Sequence, residues 1–205
     1  MPTKVFLELD EDKKKRIKEA ALAEFAQYGF EESSTNRIVK ECGISKGSLF
    51  KYFENKEDLY FFLTDETAAD MMRDMAAELE ELPKDLKKRI ITYSVTEISW
   101  YIANPLKGRF MISLAAERGS GIYEKIIERY GETGGNTYRQ LLKGAKLKGL
   151  EHKEEDICNI IKWVLLGYNE SFLKENGKKD VSLEKLKEKY IKGLNVYLDI
   201  LFKGL

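Results

Sequence analysis

The sequence predicts an all-α protein: an N-terminal three-helix helix-turn-helix domain followed by a larger C-terminal helical domain. Three observations carry this. Lys, Glu, Leu and Ile dominate the composition, as in long helices. Only three prolines occur, Pro2, Pro83 and Pro105, and no segment alternates Val- and Thr-rich residues as a strand would. Apolar residues recur instead at three- and four-residue steps. At 205 residues, 43% apolar and 34% charged, the chain can bury a sizeable core and stay soluble.

Residues 11–29 predict the first helix, with Ile17, Ala20, Ala21, Phe25 and Tyr28 recurring along it and Gly29 as its stop. Ser33 and Ser34 offer an N-cap to a short helix over 35–42, whose inner face is Ile38, Val39 and Cys42. Gly43 ends it. Ser45 caps a third helix, 46–53, and Asn55 caps a fourth that begins at Lys56. Two short helices separated by a glycine-containing turn are the sequence form of a helix-turn-helix.

The second helix of such a pair must leave one face free for the major groove. On 46–53, Leu49 and Phe53 are four residues apart and face inward, leaving Lys46, Gly47, Ser48, Lys51 and Tyr52 outside. Gly47 is costly in a helix, yet without a side chain it lets the backbone approach a base edge or sugar closely. The net charge of the whole chain is zero, so attraction to a polyanion must come from a local patch. Such a patch is present. Between Ser34 and Lys56 stand five basic residues (Arg37, Lys40, Lys46, Lys51, Lys56) against two acidic ones (Glu41, Glu54), a local excess of three.

Residues 17–59, IKEAALAEFAQYGFEESSTNRIVKECGISKGSLFKYFENKEDL, strongly resemble the N-terminal domain of the TetR family of bacterial transcription regulators. The matching elements are A-A-x-x-x-F-x-x-x-G-F in the first helix, S-T-x-x-I in the second, and G-I-S-K-G-S-L-F-x-Y-F-x-N-K-E-x-L across the third and fourth. The resemblance implies a cytoplasmic transcriptional regulator, a repressor that binds a palindromic double-stranded DNA operator as a homodimer and is released by a small hydrophobic effector. The DNA-binding set it implies is Ser34, Thr35, Asn36, Ser45, Lys46, Gly47, Ser48, Phe50, Lys51, Tyr52 and Lys56. One departure is Phe50, which stands where many members carry tyrosine; a hydroxyl-to-phosphate bond is lost there.

The remaining residues read as a long helix over 56–82, a further helix over 85–103 and a short one over 106–117. A Gly-Ser-Gly turn at 119–121 leads to another, interrupted at Gly131 and Gly134-Gly135 and resuming through Leu141, Leu142 and Leu147. Asn104-Pro105 breaks the chain between the second and third. The DNA-binding domain is expected over 10–56 and the effector-binding and dimerisation domain over 57–205, with the long helix from Lys56 shared between them. An aromatic and methionine set at helical spacing reads as core by itself, but the resembled family keeps its small-molecule pocket among the middle helices. This makes Met71, Met75, Tyr93, Trp100, Phe110 and Trp163 the candidate ligand-binding residues; their apolar character favours a hydrophobic effector over a sugar or nucleotide.

Helices 154–175 and 182–203 carry apolar stripes wider than one core contact needs. In the resembled family the last two helices form a four-helix bundle with their mates across a two-fold axis. This places Ile161, Val164, Leu165, Tyr168, Tyr190, Leu194 and Tyr197 at a dimer interface.

Cys42 and Cys158 form no CxxC pair and read as reduced core thiols, and the lone His152 has no companion at metal-ligand spacing. No cofactor, metal or enzymatic activity is expected: Ser-His-Asp and G-x-x-x-x-G-K patterns are absent. No run approaches the ~18 apolar residues of a membrane span. The alternative to a DNA-binding regulator is a helical adaptor that uses the same helix-turn-helix for protein contacts; salt-dependent DNA binding separates the two.

Overall fold

A computed structural model describes residues 1–117, 120–145, 152–176 and 183–204. Ten helices occupy these residues, and no strand occurs among them. They are α1 (Lys4–Leu7), α2 (Glu11–Tyr28), α3 (Thr35–Cys42), α4 (Lys46–Tyr52), α5 (Lys56–Glu80), α6 (Leu86–Ala103), α7 (Pro105–Ala116), α8 (Gly121–Leu142), α9 (Glu154–Asn176) and α10 (Leu183–Gly204). The chain divides into two compact units.

The first unit comprises Met1–Arg73 and Asn104–Ile126. Asp10 starts α2 by accepting from the Lys13 amide at 2.8 Å, and Glu11 and Asp12 place negative charge in its first turn, where the helix dipole favours it. Gly29 stops α2 at a φ of 68° and Gly43 stops α3 at 67°; only glycine adopts these values freely. The core is aromatic. Phe25 meets the edge of Tyr60 at 5.0 Å between ring centroids, and Tyr60 meets Phe110 at 5.6 Å, so α2, α5 and α7 close on one cluster. Burying each such ring contributes about 1.5–3 kcal/mol. Tyr28, which the spacing assigns to this face, is 41% exposed.

The second unit comprises Asp74–Ala103 and Ile127–Leu205. On α10, Leu186, Tyr190, Leu194 and Leu198 repeat every fourth residue and are all buried. That row packs against α6, which buries Leu86, Ile90, Tyr93 and Ile98. Arg89 ties the unit together. Its guanidinium donates to the carbonyls of Leu82, Pro83, Leu141 and Lys143, filling acceptors that a helix end leaves open.

The expected interruption at Gly131 and Gly134-Gly135 does not occur: α8 runs unbroken from Gly121 to Leu142. Each glycine costs a helix about 1 kcal/mol, but Ile122, Ile126, Tyr138, Leu141 and Leu142 on the flanks are buried and anchor it at both ends. Gly119 and Leu147 lie outside the described residues. Both cysteines are free and buried. No helix among the described residues is long and apolar enough to cross a membrane.

Candidate nucleic-acid interface

The second helix of the motif, α4, is held from inside and bare outside. Leu49 and Phe53 are each 1% exposed. Ser45 caps the start: its hydroxyl oxygen accepts from the Ser48 amide at 3.0 Å and lies 2.9 Å from the Ser48 hydroxyl. Lys46, Gly47, Phe50 and Lys51 are exposed, and Ser48 is half-buried. A β-carbon built on Gly47 would meet nothing nearer than the Ser45 hydroxyl, at 3.9 Å. The protein itself therefore leaves room for a side chain at this position.

Tyr52 departs from expectation. It is 6% exposed because α1, which the sequence pattern did not reveal, and the start of α2 cover it: the Phe6 ring of α1 lies 6.1 Å away and the Lys13 ammonium of α2 lies 5.9 Å from the Tyr52 centroid.

On α3, Asn36 is exposed and Thr35 half-buried. Ser34 stands at the N-cap position in extended conformation, but its hydroxyl makes no capping bond. Its amide instead donates to the Glu24 carboxylate at 2.7 Å. That carboxylate, 8% exposed on α2, also receives the Arg37 fork, Nε at 2.8 and 3.1 Å and Nη2 at 2.5 Å. The guanidinium lies 4.2 Å from the Tyr28 ring centroid. A bidentate charged pair is geometrically specific, so Glu24 and Arg37 fix α3 against α2. Sequence reading counts Arg37 as surface charge and misses Glu24. An acidic residue amid the alanines of a helix's inner face is the signal that points to it.

Lys56 is also engaged internally. Its ammonium donates to the carbonyls of Phe30 at 2.6 Å, Glu31 at 3.2 Å and Ser33 at 3.2 Å. An ammonium has three donors; here all three anchor the segment before α3. Arg37 is exposed too but is paired with Glu24, so Lys40, Lys46 and Lys51 are the exposed lysines left to carry the motif's outward positive charge.

The candidate ligand-binding residues are distributed between the units. Met71 and Phe110 are buried in the first, and Met75, Tyr93 and Trp100 in the second, whereas Trp163 is 62% exposed. The Trp100 indole donates to Asp74 at 3.1 Å. Tyr93 belongs to a buried polar network that the sequence did not signal. Glu97, 6% exposed, accepts from Asn169 at 2.7 Å and from the hydroxyls of Tyr93 and Tyr101; Tyr190 donates to the Asn169 amide oxygen. Burial pushes the Glu97 carboxyl up to about 7, its hydrogen bonds opposing the shift.

The expected interface residues also divide. Ile161, Leu165, Tyr190 and Leu194 are 0–1% exposed and serve the core of the second unit, because they occupy the inward rows of α9 and α10. Val164, Tyr168 and Tyr197 face outward and, with Gly167 and Ser171, line a cavity of about 250 Å³. Trp163, Val196 and Ile200 are more than half exposed. Tyr168 donates to the Tyr190 carbonyl at 2.9 Å; a β-carbon at residue 193 would come within 2.2 Å of the Tyr168 hydroxyl, so Gly193 leaves the space that this side chain occupies.

Two short helices across a glycine turn, the second capped, inwardly anchored and outwardly basic, define a helix-turn-helix module. Residues 17–61, the segment that holds this module, match the model of bacterial regulatory proteins of the tetR family. An uncharacterised helix-turn-helix transcriptional regulator of Bacillus subtilis, YhgD, is 31% identical over 70 residues, 34% of this chain and 35% of the relative. The match thus spans about a third of that relative's length. The fold extends further. A TetR-family transcriptional regulator from Chloroflexus aurantiacus superposes with a TM-score of 0.68 at 20% identity, covering 100% of this chain and 98% of its own. The Bacillus subtilis regulator FadR, in complex with stearoyl-CoA, superposes with a TM-score of 0.64 at 18% identity, covering 88% and 96%.

Proposed function

We propose that the protein is a DNA-binding transcriptional repressor that reads an inverted-repeat operator as a homodimer and is released by a small hydrophobic effector. The observation that carries this reading is the outer face of α4: Lys46, Gly47, Phe50 and Lys51 are exposed around a position with space for a side chain but none present. In the major groove, Gly47 brings backbone against a base edge or sugar, Lys46 and Lys51 neutralise flanking phosphates, and Ser45, Ser48, Thr35 and Asn36 supply neutral hydrogen-bonding groups. Ser34 keeps its hydroxyl for the same backbone. Phe50 packs on sugar, having no hydroxyl to offer phosphate.

The outward faces of α9 and α10 support a homodimer: Trp163, Val196, Tyr197 and Ile200 leave apolar surface exposed around Val164 and Tyr168. A two-fold dimer presents two copies of α4 and so requires an operator that is itself an inverted repeat. The effector belongs to the second domain, whose interior is largely apolar. FadR's stearoyl-CoA makes a long-chain acyl thioester the first effector to test.

The test is selection of duplexes from a random pool by the full-length protein, followed by mobility shift from 50 to 200 mM salt. The reading expects an inverted repeat and a decline in affinity of about 10³-fold or more if six phosphates are contacted. An acyl-CoA that releases the duplex supports the effector class. Failure to retain any duplex, or retention insensitive to salt, overturns the reading.

A further inference from the structure

The N-terminal arm touches α4 at the end opposite the Ser45 cap. A helix leaves its last carbonyls without partners inside the helix, and in a helix of seven residues those carbonyls make up most of the acceptors. Thr3 fills two of them. Its hydroxyl donates to the Lys51 carbonyl at 2.7 Å, and its amide donates to the Tyr52 carbonyl at 2.9 Å. The same residue is the N-cap of α1, so the end of one helix and the start of the other meet at one side chain.

Three residues on, Phe6 is 1% exposed. Its ring lies 4.7 Å from Phe53, 5.4 Å from Phe62 and 6.1 Å from Tyr52, between centroids. The arm is thereby fastened by an apolar plug, and Thr3 is aimed at the backbone of α4 from a fixed base. The two hydrogen bonds end on the backbone of α4 and not on a side chain of the aromatic core. The cluster of Phe25, Tyr60 and Phe110 is made by α2, α5 and α7, none of which carries Thr3.

We infer that Thr3 and Phe6 are positioning residues for DNA recognition: the arm fixes the C-terminal end of α4 so that Lys46, Gly47 and Lys51 enter the groove in register. The inference rests on the DNA-binding reading of α4. The arm acts through the helix, and neither Thr3 nor Phe6 is required to touch DNA. Losing the hydroxyl bond frees the Lys51 carbonyl and lets the last turn fray. Specific binding, which needs every recognition group aligned, then weakens, while non-specific attraction of the same lysines to phosphate persists.

The experiment compares full-length wild type, Thr3→Val, Thr3→Ser and Phe6→Ala on the duplex selected by the wild-type protein and on an unrelated duplex. Thermal melting is followed in parallel. Thr3→Val should weaken specific binding about five- to tenfold, the worth of one hydrogen bond to an ordered partner. It should leave non-specific affinity and the salt slope unchanged. Thr3→Ser, which keeps the hydroxyl, should bind within twofold of wild type, an outcome that mere helix destabilisation by any change at this residue would not give. Phe6→Ala should weaken specific binding further. Specific binding by Thr3→Val equal to wild type, or equal loss in Thr3→Ser, overturns the inference and leaves the DNA reading standing. A wild-type protein that selects no duplex overturns both.

Discussion

Replacing Gly47 with alanine should stabilise the protein and impair its binding to DNA. Gly47 is the second residue of α4, and its φ is not positive, because the positive-φ glycines are Gly29, Gly43 and Gly144. An L-residue therefore fits the backbone, and the new methyl group would find only the Ser45 hydroxyl within 4 Å, at 3.9 Å. Alanine favours helix over glycine by up to about 1 kcal/mol, which for a chain of this size raises the melting midpoint by about 2–4 °C. At the DNA surface the sign reverses. A methyl group forced into a close approach costs about 1–3 kcal/mol, and even the low end is about a fivefold loss of affinity for each protomer. Thermal melting and mobility shift on one preparation measure both effects. Binding that is unimpaired in Gly47→Ala would mean that α4 does not approach DNA through this position. A lower melting midpoint would mean that the glycine serves the fold.

Lys46→Ala and Lys51→Ala should each leave melting unchanged and weaken specific binding. Each should also reduce the salt slope by about 0.9 for every phosphate no longer neutralised, measured by mobility shift against salt. Ser45→Ala should cost about 1 kcal/mol of stability through loss of the cap, read from denaturant unfolding. Glu97 makes stability depend on pH. Its carboxyl titrates at about 7 when folded against 4.5 ordinarily, so the native state holds its proton more tightly than the unfolded state. The stabilising contribution is full below 4.5 and lost as pH rises through 7, about 3 kcal/mol in all. Glu97→Gln should flatten this decline between pH 5 and 8 in denaturant titrations, whereas a slope unchanged in the variant would place its origin elsewhere. Charged substitutions at Tyr197 and Ile200, 51% and 67% exposed, should give folded monomers by sedimentation. Leu194→Asp, at a fully buried site, should fail to fold.

The helices and the motif were legible because their signals are local. Ser45 preceding a seven-residue helix, Gly29 and Gly43 at helix ends, and Asn55 before Lys56 each act within a few residues of themselves. The inward row of Leu49 and Phe53 follows from periodicity alone. What sequence could not give was the partner of each polar group. Lys56 reads as a surface cation until the carbonyls of Phe30, Glu31 and Ser33 are brought to it by the chain reversal before α3. Arg37 reads the same way until Glu24, thirteen residues earlier, is seen to face it. Tyr52 reads as outward because α1, a single turn of four residues, is too short to leave a periodic pattern. On α9 and α10 the pattern identifies apolar rows but not which row the protomer keeps for itself. The choice between Leu165 and Val164, adjacent in sequence, is made by packing. The bond from Glu97 to Asn169 joins residues 72 positions apart, beyond the reach of any spacing rule.

The most direct test of α4 as the recognition helix is methylation protection on the selected duplex. Dimethyl sulfate attacks guanine N7, which lies in the major groove, and adenine N3, which lies in the minor groove. The full-length protein should protect guanine N7 in two symmetry-related clusters about one helical turn apart or a little more, and Gly47→Ala should weaken that protection at the same positions. Protection confined to adenine N3, or spread evenly with no two-fold pattern, would contradict recognition by α4 in the major groove.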